Sequence, residues 1–133
     1  THINDLKTKM LDKIPFQTKK QMTNIEKRLT NYKFIDEIDE LKMGCYYQWI
    51  NIKNIIDKGI IKLTNAGFLY DYDTSVDNED IVLKVHGGNS PHNRTRYGKL
   101  RCTKVRMHNV MLFQKLTQQE QILIKIMDYV KGN

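Results

Sequence analysis

Gly44-Cys-Tyr-Tyr-Gln-Trp-Ile-Asn-Ile52 is the stretch whose reading decides the fold. Aromatic and β-branched side chains fill it, and these fit a pleated, half-buried surface better than a helix. Alternation would place Tyr46, Gln48, Ile50 and Ile52 on one side, and Cys45, Tyr47, Trp49 and Asn51 on the other. Gly44, ahead of the run, suits a tight turn into a strand.

Downstream of it the same signal recurs. Ile60 to Tyr72 follows the break Asp57-Lys58-Gly59 and contains Asn65-Ala66-Gly67, either a hairpin turn or a bulge that bends one long strand. Alternation on both sides favours the bend. Asp80 to Val85 is a short apolar-rich strand. Lys99 to Met107 is another, with Leu100 and Cys102 inward at first, then Val105 and Met107. That phase slip predicts a bulge near Thr103-Lys104. Asn109 supplies a turn, and Val110 to Lys115 is the last strand. Short strands separated by turn residues suggest a sandwich or small barrel.

Upstream, Ile3, Leu6, Met10 and Ile14 recur at helical spacing before Pro15. Thr18 to Tyr32 carries Met22, Ile25, Leu29 and Tyr32 as a second stripe, with Lys19, Lys20, Lys27, Arg28 and Lys33 mostly off it. Those cations form a solvated face or a phosphate-facing ridge. Phe34 to Leu41 mixes apolar residues with Asp36, Glu37, Asp39 and Glu40 and reads as a short helical turn. Thr117-Gln-Gln-Glu120 is a capping box that starts a C-terminal helix. Leu123, Ile126, Met127 and Val130 form its stripe, expected to pack on the β-core, and Gly132 ends it. The expected fold is therefore α+β: a strongly bent five-stranded antiparallel sheet or small barrel with N-terminal helices and a C-terminal helix. Its organisation is a single domain, with a helical segment over 1–40, a β-barrel core over 41–116 and the last helix over 117–133.

A chain of 133 residues, 40% hydrophobic and 28% charged, can bury a real core without staples. No window approaches about eighteen apolar residues, so no membrane partner is expected. The N-terminal charges precede no apolar run of the secretory kind. Cys45 and Cys102 are too few for a disulfide framework and read as small buried hydrophobes in a reducing, intracellular compartment. Asn93-Arg-Thr95 matches a glycosylation sequon, a chance match without a secretory route.

Charge is segregated. Within the net of +7, residues 1–35 carry about +5, residues 36–80 about −6, and residues 81–116 about +8 with no acid among them. Asp71 to Asp80 invites a calcium reading, but Val76 and Val82 stand where an EF-hand loop needs its glycine and its bidentate glutamate. It reads as an acidic hairpin loop, and Asp71-x-Asp73 carries no metal assignment. His86 to Gly98 is glycine-rich and basic, so backbone amides with Arg94 and Arg96 could cradle a phosphate. It lacks the Gly-Lys-Ser/Thr ending of a P-loop. His86 and His92 have no zinc spacing with a cysteine pair. No catalytic residue and no cofactor follow from these motifs, and the expectation is a non-catalytic protein.

Arg94, Arg96, Tyr97, Lys99, Arg101, Lys104 and Arg106 crowd into thirteen residues. The predicted bulge keeps Arg101, Lys104 and Arg106 on one exposed face. Cations interleaved with an aromatic on a β-surface are a way to hold single-stranded nucleic acid. They are also a way to defend an edge strand against aggregation. These seven are the candidate nucleic-acid-binding residues.

Leu41-Lys-Met-Gly44 before an aromatic strand, Asn65-Ala-Gly-Phe-Leu69, and the closing Val110-Met-Leu-Phe-Gln-Lys115 resemble a small domain of nucleocytoplasmic large DNA virus proteins. Those proteins tend to carry glycine-glycine-phenylalanine-leucine after the first strand and isoleucine-phenylalanine-tyrosine-lysine in the last. Here Ala66 replaces the first glycine and Gln114 the aromatic. The resemblance covers residues 41–116. It implies a bent barrel of Tudor-like size in a viral protein of host cytoplasm or nucleus, with packaging in the virion a further implication. It supplies no catalytic residues. The expected function is a small basic binding protein contacting nucleic-acid phosphates without sequence specificity. The alternative is a structural or assembly protein of a virus particle that docks an acidic protein surface. Oligomerisation is compatible with both.

Overall fold

Strand β2 (Tyr46–Asn51) forms where the aromatic run predicts it, and it buries both faces: Tyr47, Gln48, Trp49 and Ile50 are all buried. The turn into it is built on Gly44, whose φ of +80° is left-handed, with Cys45 N–H donating back to Lys42 at 3.4 Å. That φ suits the third position of a type II turn, where a Cβ is penalised. The structure, a computed structural model, describes residues 2–63, 67–74, 81–86 and 102–131. The expected bend at Asn65-Ala66, most of the loop to Gly98, and the candidates Arg94, Arg96, Tyr97, Lys99 and Arg101 lie outside the described residues.

In chain order the other elements are α1 (His2–Leu11), α2 (Lys19–Arg28), β1 (Tyr32–Ile35), α3 (Ile52–Lys58), β3 (Gly67–Thr74), β4 (Ile81–His86), β5 (Cys102–Arg106), β6 (Val110–Lys115) and α4 (Gln118–Lys131). The hydrogen-bonded strand order is β1-β6-β2-β3-β4-β5. The fold is α+β with an antiparallel run from β2 to β5, and a strand forms in each of the five anticipated stretches, although Ile60–Lys62, read as the start of the second, lie in no strand. The sheet is open, so the barrel alternative gives way to the bent sheet.

Two elements differ from expectation for local reasons. Tyr32–Ile35, read as the end of a helix and a turn, is a strand: Leu29 closes α2, and the following run is aromatic and β-branched. Ile52, read as the last strand residue, and Asp57-Lys58, read as part of a break, belong to α3, which forms because Asn51 caps it, accepting from Asn54 N–H at 3.1 Å, and Gly59 ends it at φ +66°.

The chain divides into two compact units, one of residues 1–34 with 113–133 and one of residues 35–112. The core of the second comprises Ile35, Tyr47, Trp49, Leu69, Leu83, Val85, Val105, Val110 and Leu112, with Leu41, Cys45, Tyr72 and Met107 packed against it. Each fully buried side chain of this size contributes about 1.5–3 kcal/mol relative to exposure. In the first unit Phe34 and Phe113 pack edge to face, ring centres 5.8 Å apart. Thr117 and Glu120 form the expected capping box, each backbone N–H donating to the other's side chain at 3.1–3.2 Å.

The stripe of α4 does not pack as expected. The helix buries none of its residues, and Leu123, Ile126, Met127 and Val130 are all more than half exposed. Its partly covered side carries Glu120, Gln121 and Ile124: Lys33 pairs with Glu120, and Gln121 Nε2 donates to the Leu116 carbonyl at 3.2 Å.

Candidate nucleic-acid interface

Strand β5 pairs with β4 in unbroken antiparallel register, Val82 opposite Arg106 through to His86 opposite Cys102. The bulge expected near Thr103-Lys104 is therefore absent. Strict alternation does the work instead: Val105, 5% exposed, points into the core, and Lys104 and Arg106 on either side of it are exposed. Two of the seven candidate residues thus share one face of β5, the strand at one end of the hydrogen-bonded order.

The register shift lies in β3. Leu69 pairs with Val85 and Asp71 with Lys84, leaving Tyr70 as an extra residue on β3. The extra residue bends the strand and reconciles its inward positions, because Leu69 and Tyr72, three apart, both reach the core. Beyond it the acidic stretch is strand rather than loop as far as Thr74, so Asp71 and Asp73 are exposed ladder positions.

Residues directly opposite in an antiparallel pair lie on the same face. By register, Asp71, Lys84 and Lys104 form one row across β3, β4 and β5, and Asp73, Val82 and Arg106 form the next. The rows set an acidic column on β3 and a basic column on β5, two strand spacings or about 10 Å apart between backbones. A third row begins Tyr46, Phe68 and His86. Tyr46 and Phe68 are in edge-to-face contact at 5.2 Å between ring centres, and Phe68 and Tyr70 are 37% and 45% exposed.

Sequence reasoning passed over these three aromatics. Phe68-Leu-Tyr70 carried the signal, an apolar residue between two aromatics at strand spacing, but the triplet before it drew attention to a turn. On α2, Lys19, Lys20, Lys27 and Arg28 are exposed, and Lys33 on β1 is engaged by Glu120. Cys45 is a free thiol, half-buried against the core. Among the described residues, no three His, Cys, Asp or Glu side chains gather as a metal site, and no helix is long and apolar enough to cross a membrane.

The chain matches no family model, no curated protein and no solved structure. Its functional reading therefore rests on the face just described.

Proposed function

We propose that the protein is a non-catalytic binding module that contacts nucleic-acid phosphates through β5 and the basic stretch of sequence ahead of it, without base readout. The supporting observation is the pair Lys104 and Arg106, exposed on one side of β5 with Val105 anchored in the core between them. The anchor sets the cations on a fixed backbone, within a segment, residues 81–116, that contains no acid. Phosphate contacts of this kind position a polyanion and carry no sequence information. The resemblance over residues 41–116 supports a viral setting, in host cytoplasm or nucleus.

The test is a salt series. Binding to a labelled oligonucleotide should weaken linearly in log K against log salt, by about 0.7 per phosphate neutralised on a single strand. Reversing Lys104 and Arg106 to Glu should lower both the affinity and that slope. Affinity independent of salt, or unchanged by the reversals, removes the proposal.

A second reading, a structural or assembly component of a virus particle, draws support from the outward apolar stripe of α4. Co-purification with particle shells after nuclease treatment would favour it over the first.

A further inference from the structure

We infer that Tyr46, Phe68 and Tyr70 form a stacking platform for unpaired bases, which makes single-stranded rather than duplex nucleic acid the ligand. The inference rests on the phosphate-contacting reading above and deepens it. Its own ground is geometric. Phe68 and Tyr70 leave 37% and 45% of their surface exposed on a sheet whose other face is core, so ring area is open to a ligand there. Tyr46 lies directly opposite Phe68, and its ring braces Phe68 edge-on at 5.2 Å. Bracing of that kind fixes a ring's plane before any ligand arrives.

The platform and the cations share one face of one sheet. From Phe68 to Lys104 the path is two strands across and one ladder row along, about 12 Å between backbones. A single strand can lay bases on the rings while its phosphates reach the β5 column. A duplex cannot, because its bases are already stacked and its phosphates lie outside. The acids Asp71 and Asp73, in the rows beside the platform, repel phosphates from β3 and leave the neutral bases unaffected. The face is thus sorted into a side for bases and a side for phosphates. Stacking of this sort is sequence-tolerant, since every base presents a π-face.

The experiment compares a fluorescein-labelled 20-mer of deoxythymidine with a mixed-sequence 20-base-pair duplex, each across a salt series. The intact protein should prefer the single strand by at least tenfold. Tyr70→Ala should weaken single-strand binding by roughly 5- to 160-fold, the range for loss of one stacked base, and leave the salt slope unchanged. Phe68→Leu keeps the apolar volume and should act in the same direction if Phe68→Ala fails to fold. Equal affinity for both ligands, or aromatic variants that leave single-strand affinity intact, overturns the platform while the phosphate reading stands. Loss that is equal for single strand and duplex also overturns it. Absence of binding to either ligand overturns both.

Discussion

Lys7 is 9% exposed, and its ammonium donates to the carbonyl oxygens of Leu29 at 2.9 Å and Thr30 at 3.3 Å. Those acceptors belong to the end of α2, where the last carbonyls of a helix lack intrahelical donors. Burial pushes the Lys7 pKa below the ordinary lysine value, and the two charge-assisted bonds hold the ammonium in place. Lys7→Met keeps the apolar stem and removes both donors, so it should destabilise the fold by about 1–3 kcal/mol in urea denaturation. Glu40 is the converse case. Burial, then a hydrogen bond with Asp36 and the nearby Asp36 charge, raise its carboxyl above the ordinary value. A raised carboxyl contributes stability that is complete below its unfolded pKa and lost as pH rises through the folded one. Glu40→Gln should therefore raise the melting temperature at pH 7, and the gain should fade as the pH drops toward 4. A gain that grows in acid would contradict the assignment.

At the scale of elements, α4 is an amphipathic helix with its apolar stripe outward. Its capping box and the Lys33–Glu120 pair hold the side of Glu120, Gln121 and Ile124 against its own unit, while Ile122, Leu123, Ile126, Met127, Tyr129 and Val130 are exposed. Substitutions there should be nearly silent for folding. The double variant Leu123→Gln, Ile126→Gln should change unfolding free energy by no more than about 0.5 kcal/mol per site, measured by chemical denaturation. A larger loss would mean that the stripe is packed. The helix itself was legible in the sequence, because Thr117 and Glu120 signal its start by local chemistry alone. Which side it buries was not, since the stripe rule assumes that apolar area always finds the core. The end of α2 was hidden for a related reason. Leu29 and Tyr32 are buried in a helix-period reading and in the observed helix-then-strand alike. Periodicity cannot separate the two.

Over the whole molecule the excess positive charge is partitioned, and the same face of the 35–112 unit carries both signs, in columns two strands apart. If a polyanion is the ligand, the acids on β3 oppose it. Asp71→Asn with Asp73→Asn should tighten oligonucleotide binding at low salt, with the gain shrinking as salt rises, readable by fluorescence anisotropy. An unchanged affinity would place the ligand elsewhere. The strand pattern of this unit could be read from alternation, as could the cations Lys104 and Arg106 facing outward. The register shift was expected in β5 and found in β3, because a phase slip in one strand's apolar pattern does not say which of two paired strands holds the surplus residue.

That surplus has a consequence for how β3 tolerates change in length. Leu69, Asp71 and Tyr72 already meet Val85, Lys84 and Leu83 in sequence, so Tyr70 sits outside the count. Removing it leaves each neighbour opposite its present partner, whereas removing Tyr72 or Asp73 would carry the residues between the bulge and the gap onto the opposite face. Tyr70 is thus a spare link in the pairing of this strand, one whose backbone the ladder does not count.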